Sequence, residues 1–197
     1  MTPPDAGGKV FEDVRLETER LIIRPFVPND VEQFADVVGR EEVTRFLPED
    51  VMTPEEVRRI ISWLIDHYRE NTPDRIIKWT LAIIWKETGD VIGWCGLGPL
   101  DFSPGEIELF YGLSPEHWGR GIATEASRAV LRYSFAEIGL SRIVAVTHPE
   151  NVGSVKVIEK LQMTFEKIIT DLPEEHRWYE GCRYYSLSRA DSMRMPT

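Results

Sequence analysis

Two glycines, Gly119 and Gly121, separate an apolar strand pattern over residues 107–113 from an amphipathic helical pattern that starts near Gly121. Glycine lets the backbone take a positive φ, and the first amides of a helix have no partner within the helix. These amides point outward at the positive end of the helix dipole. The order of strand, glycine turn and helix therefore predicts a site for a phosphate group.

Other glycine-rich loops that bind phosphate make demands that this sequence does not meet. A nucleoside triphosphate loop needs Gly-Lys-Ser/Thr at the helix start, whereas an Ile-Ala pair follows Gly121. A dinucleotide loop needs a third small residue, where this chain has Thr124, and an acidic residue roughly twenty positions later. That later region holds Ser141 and Arg142. A dinucleotide-binding protein is therefore kept only as a third hypothesis.

The segment 118–123 resembles the pyrophosphate loop of the GNAT superfamily of acetyl-coenzyme A dependent N-acetyltransferases, which reads Gln/Arg-x-x-Gly-x-Gly/Ala. Trp118 at the first position, followed by Gly-Arg-Gly-Ile-Ala-Thr-Glu-Ala, is similar to the RimJ/RimL-type branch, named for enzymes that acetylate ribosomal-protein N-termini. Asn151 and Ser154 resemble the Asn-x-x-Ser of the same superfamily, although both residue types also cap helices without any ligand. The likeness extends over residues 16–188.

The resemblance implies a mixed α/β fold, the GNAT acyl-CoA N-acyltransferase fold, with about seven strands flanked by four or so helices. The opening segment, 16–25, is similar to the first strand of the RimJ/RimL-type branch. We expect a single domain over residues 15–189, because a chain of 197 residues can bury a sizeable core. Residues 1–14 are expected to be a flexible leader, and residues 190–197 a tail.

Composition argues against several classes of protein. The formal net charge of -10 disfavours a general nucleic-acid binder, because phosphate backbones require basic patches. No stretch is apolar for the roughly eighteen residues of a membrane span. Cys95 and Cys182 suggest neither a metal cluster nor a disulfide framework, and the histidines lack metal spacing. We therefore expect no metal, no membrane partner and a cytoplasmic location.

The resemblance also implies which residues bind acetyl-CoA as co-substrate. Backbone groups at Tyr111 and Leu113 would contact the pantetheine arm, on a strand that splays from its neighbour. The pyrophosphate would lie on the loop, with Arg120 compensating its charge. The complete predicted set is Tyr111, Leu113, Trp118, Gly119, Arg120, Gly121, Ile122, Ala123, Thr124, Asn151 and Ser154.

Acetyl transfer to an amine needs a proton acceptor and, in many relatives, an acid for the thiolate. The resemblance implies Glu108 as the general base, acting through a water molecule, because RimJ/RimL-type enzymes often carry a glutamate three residues before the position of Tyr111. Strand alternation puts Glu108 on the face opposite Tyr111. A carboxylate that merely faces solvent is the alternative. Where many superfamily members have a tyrosine acid, this chain has Ile158, so Ser141, a water or no group at all is left to protonate the thiolate.

The acceptor is predicted to be a primary amine, either a peptide N-terminus or a small molecule. Trp178 and Tyr179 precede the last strand, where they are expected to form part of the acceptor wall. The main alternative is a coenzyme A-binding module without turnover, suggested by Ile158 and by Gln162-Met163 in place of the usual Gly-Phe. A homodimer is possible by analogy with similar proteins.

Overall fold

The computed structural model describes residues 9–194, which form one mixed sheet of eight strands. In chain order the strands are β1 Leu16–Glu17, β2 Leu21–Pro25, β3 Trp79–Trp85, β4 Val91–Leu100, β5 Ser103–Leu113, β6 Arg142–Thr147, β7 Thr164–Ile168 and β8 Arg183–Ser188. Across the sheet they lie in the order β1-β2-β3-β4-β5-β6-β8-β7, with β5 and β6 parallel and the other neighbours antiparallel.

In the described part of the chain, four longer α-helices and three single-turn α-helices surround this sheet. The longer ones are α2 Val31–Val38, α4 Pro54–His67, α5 Ile122–Tyr133 and α6 Val152–Lys160. The single-turn helices are α1 Lys9–Glu12, α3 Glu41–Thr44 and α7 Arg189–Ser192. The predicted mixed α/β fold is confirmed, with one strand more than the seven expected.

Helices cover both faces of the central strands. Trp94 and Cys95 are neighbours on β4 and therefore point to opposite faces. The ring of Trp94 contacts Phe34 of α2, whereas the thiol of Cys95 lies 3.8 Å from the hydroxyl oxygen of Ser127 in α5. Helices α2 and α4 thus pack on one face and α5 on the other, which explains why β3 and β4 are apolar along almost their whole length.

The sheet opens between β5 and β6. These strands are bridged through one residue pair, Glu108 with Val144, and on the amino-terminal side Arg142 Nε is still 3.7 Å from Glu106 Oε1. Beyond the bridge, β5 remains paired with β4 as far as Leu113, and β6 remains paired with β8. The two strands run in the same direction, so the ends that separate are both carboxyl ends. The backbone edges that face each other there are not paired.

The extra strand arises because the predicted strand over residues 16–25 is divided in two. Residues 18–20 turn the chain between β1 and β2, and the amide of Thr18 donates to the carbonyl of Leu21. The turn is held by the carboxylate of Glu125, which accepts hydrogen bonds from the Thr18 hydroxyl and from Arg20. This long-range contact explains why a continuous strand pattern does not form one strand.

The domain begins earlier in the chain than predicted. The leader was expected to include residues 9–14, but Phe11 is fully buried, and its carbonyl accepts a hydrogen bond from Trp79 Nε1. The carbonyl of Val10 likewise accepts from the hydroxyl of Tyr133. These contacts make α1 part of the core, and only residues 1–8 of the predicted leader lie outside the described residues.

The predicted tail, residues 190–197, overlaps α7, so its first residues are helical. The hydroxyl of Ser188 accepts from the amide of Asp191 and caps this short helix. Residues 195–197 lie outside the described part. Within residues 9–194, none of the helices combines the length and the hydropathy needed to cross a membrane. Both cysteines, Cys95 and Cys182, are buried as free thiols.

Candidate active site

The glycine loop has the predicted local structure. Strand β5 ends at Leu113, a short 3-10 turn follows over Pro115–His117, and α5 begins at Ile122. Gly119 and Gly121 have φ angles of 70° and 77°, in the left-handed region that favours glycine. The glycines are therefore required by the path of the backbone.

The backbone amides of residues 119–124 lack acceptors among the described residues; the next amide, that of Glu125, donates to the carbonyl of Gly121. The free amides lie at the amino-terminal end of α5, a helix of twelve residues whose dipole places partial positive charge there. A chain of unpaired donors at such a position suits a diphosphate. The donor set therefore fits the pyrophosphate of coenzyme A.

Glu125, one turn into α5, ties the loop to the β1–β2 hairpin. Its carboxylate accepts from the backbone amide of Arg20 at 3.0 Å and forms an ion pair with the Arg20 guanidinium at 2.6 Å. The same guanidinium donates to the carbonyl of Arg120 at 3.0 Å. Sequence reasoning missed this support, because Arg20 and Glu125 lie 105 positions apart in the chain.

Trp118 fastens the loop to the end of β5. Its indole Nε1 donates to the carbonyl of Leu113 at 2.8 Å, while 48% of the residue stays exposed. The Arg120 guanidinium lies 5.1 Å from the ring centroid of Trp85. The indole N–H is thus already used within the protein, which leaves the exposed ring surface of Trp118 for contact with a ligand.

The free edge of β5 carries the backbone groups of alternate residues. Ser114 donates its amide to the carbonyl of Ile92 on β4, and hydrogen-bonded pairs alternate along antiparallel strands. The amides of Tyr111 and Leu113 therefore point away from β4, toward the opening between β5 and β6. Gly112, between these two residues, has no room for a side chain, because a Cβ there would lie 2.1 Å from the Trp94 ring.

Asn151 and Ser154 lie across the opening, at the start of α6. The Asn151 side chain accepts from the amide of Ser154 at 3.1 Å and so caps the helix. The carbonyl of Ser154 accepts from the hydroxyl of Tyr111 at 3.3 Å, which ties β5 to α6. The capping role that was left open for Asn151 is therefore present in the structure.

Glu108 lies at the last paired position before the opening, and it is half-buried. It pairs with Gly98, which shares a face with Trp94, so the carboxylate is on the α2–α4 face. Tyr111 is on the opposite face, as the alternation predicted. The carboxylate is thus placed where the α2–α4 face of the sheet meets the opening.

The surroundings of Glu108 raise the pKa of its carboxyl to about 7. Burial is the largest cause, and the negative charges of Asp101 and Glu49 add to it. The ammonium of Lys78 and the backbone amide of Val146 act in the opposite direction. Lys78 reaches this position by lying over the Phe110 ring, with Nζ 4.5 Å from the ring centroid. Such a carboxyl changes protonation near neutral pH, as a general base must.

Sequence comparison decides the family. Residues 20–164 match the family model described as an acetyltransferase (GNAT) domain. The chain belongs to the GNAT acetyltransferase family. Among curated relatives of this GNAT protein, the uncharacterized N-acetyltransferase p20 of Bacillus licheniformis is 33% identical over 157 residues, covering 79% of this chain and 85% of the relative. The predicted enzyme class is confirmed.

Solved structures give the same fold. A GNAT-family acetyltransferase from Bacillus anthracis superposes with a TM-score of 0.73 at 26% identity, over 90% of this chain and 99% of that chain. The ribosomal-protein-S5-alanine acetyltransferase from Vibrio fischeri gives 0.70 at 21% identity, over 91% and 98%. Spermidine N-acetyltransferase from Vibrio cholerae, solved with CoA and spermine, gives 0.70 at 16% identity, over 89% and 99%. The last two show the fold alone.

This GNAT domain does not bring Ser141 to the opening. Ser141 directly precedes β6, three residues before Val144, so it lies about 10 Å from the bridge on the closed side of the sheet. It is exposed, and its carbonyl accepts from the amide of Arg189. Ile158, at the position of the usual tyrosine, is 1% exposed in the core. Neither side chain is placed to protonate the thiolate.

No group of three or more histidine, cysteine, aspartate or glutamate side chains in the described part of this GNAT chain is arranged to hold a metal ion. Asp101, whose charge acts on Glu108, and Glu106, two residues earlier on β5, both have tyrosine partners. Asp101 Oδ2 accepts from the hydroxyl of Tyr179 at 2.5 Å, and Glu106 Oε1 accepts from the hydroxyl of Tyr184. Glu108 therefore differs from these two carboxylates, which tyrosine hydroxyls already bind.

Proposed function

We propose that this chain transfers the acetyl group of acetyl-CoA to a primary amine by direct attack in a ternary complex. The observation that carries the proposal is the run of unpaired amides at residues 119–124 beside the opening that ends at Glu108. Acetyl-CoA supplies an activated thioester carbonyl. The rest of the chemistry falls to groups of this chain.

The loop amides would hold the pyrophosphate, with Arg120 adding positive charge. The edge amides of Tyr111 and Leu113 would bind the pantetheine arm and polarise the acetyl carbonyl, as oxyanion donors do. Asn151 and Ser154 would line the other side of the opening. Trp118 would keep the end of β5 and the loop in register through its bond to Leu113.

Glu108 would take a proton from the ammonium form of the acceptor. The neutral amine then attacks the carbonyl carbon, a C–N bond forms and the C–S bond breaks. The second nitrogen proton passes to the departing thiolate, which gives an amide and a free thiol. A thiol with a pKa near 8.5 leaves without a dedicated acid, so Ile158 does not prevent the reaction.

The acceptor side allows two classes of amine. A protein N-terminus fits the RimJ/RimL-type hypothesis, which rests on Trp118 and the loop sequence and is supported by the fold shared with ribosomal-protein acetyltransferases. A small-molecule amine fits the fold shared with spermidine N-acetyltransferase. The acidic net charge of -10 favours the approach of either cation.

Glu108→Gln tests the base. We expect the variant to retain acetyl-CoA binding and to lose amine-dependent thiol release by about 100-fold or more, since general-base catalysis typically contributes that much. Glu106→Gln is the matched control, because Glu106 lies on the same strand face but binds Tyr184. An unchanged rate in Glu108→Gln would remove Glu108 from the mechanism. Intact binding with no turnover of any amine by the native chain would favour the alternative of a binding module.

A further inference from the structure

A pocket with aromatic walls lies at the carboxyl end of β6. Its volume is about 350 Å³, and it is lined by Arg45, Phe46, His148, Glu150 and Trp178. The rings of Phe46 and His148 stack at 5.7 Å between centroids, with 23° between their planes. Trp178 is 41% exposed, so much of this indole is open to a ligand. The pocket has the size of a small-molecule site.

Two walls of the pocket belong to segments that also reach Glu108. His148 is two residues beyond Val146, whose amide faces the Glu108 carboxylate, a separation of about 7 Å along a strand. Trp178 packs edge-on against Tyr179, with 4.9 Å between ring centroids, and Tyr179 binds Asp101 beside Glu108. A molecule in the pocket can therefore extend a short arm to Glu108.

Two charged side chains flank the aromatic walls of the pocket. Arg45 and Glu150 carry opposite charges, so these two lining residues give no net negative charge. The Arg45 guanidinium already lies 5.0 Å from the centroid of the Phe46 ring, where a second cation would bind. The exposed indole of Trp178 remains as the main apolar binding surface of the pocket, and an aromatic ring packs well against such a face.

We propose that the acceptor is a primary amine carried on an aromatic ring by a short chain, with the ring held among Phe46, His148 and Trp178 and the amine at Glu108. This inference rests on the proposed acetyl transfer. It differs from that proposal by naming the acceptor class. Linear polyamines and peptide N-termini are the competing outcomes.

Thiol release from acetyl-CoA by the full chain tests the acceptor class with four probes: 2-phenylethylamine, n-butylamine, spermidine and a short peptide with a free N-terminus. We expect kcat/KM for 2-phenylethylamine to exceed that of each other probe by about tenfold or more, because burial of the ring adds to binding. An equal or higher value for any other probe would overturn the inference.

Trp178→Ala identifies the pocket as the source of the preference, with Trp63→Ala as the matched control. Trp63 is 39% exposed on α4 and stacks on His67, away from the pocket lining. We expect Trp178→Ala to lower kcat/KM for 2-phenylethylamine about tenfold more than that for n-butylamine, and Trp63→Ala to change neither value. Equal losses for both amines, or no loss, would contradict the assignment.

The two proposals fail in different ways. Absence of acetyl-CoA binding together with absence of thiol release would overturn the proposed function, and this inference with it. Acetyl-CoA binding with preferred turnover of spermidine or the peptide would overturn the acceptor assignment alone. Acetyl-CoA binding without turnover of 2-phenylethylamine would do the same.

Discussion

At the scale of single residues, Glu108 owes its proposed role to its surroundings. Its carboxyl has a raised pKa because it is buried near Asp101, and Lys78 limits that rise. Strand alternation was enough to predict which face of β5 Glu108 occupies. It could not reveal Lys78, because this lysine precedes β3 and reaches Glu108 only after β3, β4 and β5 have paired.

The pH dependence of the reaction tests this arrangement. The charged form of Glu108 is the active base, so kcat/KM should rise with pH, with a midpoint at about 7, and level off at higher pH. Lys78→Met removes a neighbouring positive charge, so the midpoint should move to higher pH and activity at pH 7 should fall about two- to fivefold.

Lys78→Arg serves as the control for charge, since it keeps a cation at this position. It should restore the midpoint of the native chain. A midpoint that stays unchanged in Lys78→Met would show that Lys78 has no influence on the base.

At the scale of elements, local patterns predicted best where the contacts are local. The strand, glycine turn and helix around Gly121 follow from neighbouring residues, and the structure has them where the sequence indicated. The break between β1 and β2 could not be predicted this way, because Thr18 is held by Glu125, 107 positions later. The role suggested for Ser141 failed for a similar reason, because the sequence alone does not show which end of β6 faces the opening.

The end of α6 explains how the chain does without the family's usual glycine. Gln162 has φ of 58°, and the amide of Met163 donates to the carbonyl of Ile158, which closes the helix. A left-handed residue other than glycine costs about 1–2 kcal/mol. The helix therefore keeps the expected geometry at this position under backbone strain.

Gln162→Gly should relieve that strain and stabilise the chain. The gain is about 0.5–1 kcal/mol, because the greater freedom of glycine in the unfolded chain offsets part of it. The expected rise in Tm is about 1–4 °C in a thermal unfolding scan. Gln162→Ala keeps the strain and should not stabilise. A fall in Tm for the glycine variant would contradict the account of this turn.

At the scale of the whole molecule, the fold brings three distant segments to one opening. These are the loop at residues 119–124, the start of α6 at Asn151 and the edge of β5 at Leu113. The family resemblance predicted these groups from the sequence. They meet at one opening because β5 and β6 are bridged through the single pair at Glu108 and separate beyond it. Homodimer formation and a cytoplasmic location stay predictions.

The core also includes residues that the sequence assigned to a leader. Phe11 lies in a helix of four residues, too short for a periodic pattern to indicate it. Its burial depends on Trp79, 68 positions later, and on Tyr133 of α5, which stacks on Trp79. The packing that anchors α1 is therefore long-range, and a pattern read along the chain could not show it.

The most direct test is a calorimetric titration of the full chain with acetyl-CoA, with NAD and ATP as controls. Selective binding of acetyl-CoA is expected. Gly121→Ala should weaken it roughly tenfold, because alanine is strained at the φ of 77° that orients the loop amides. Gly89→Ala is the matched control, with φ of 81° in the turn between β3 and β4, and should bind like the native chain. No binding, or a preference for NAD or ATP, would contradict the assignment of the loop and the proposed transfer with it.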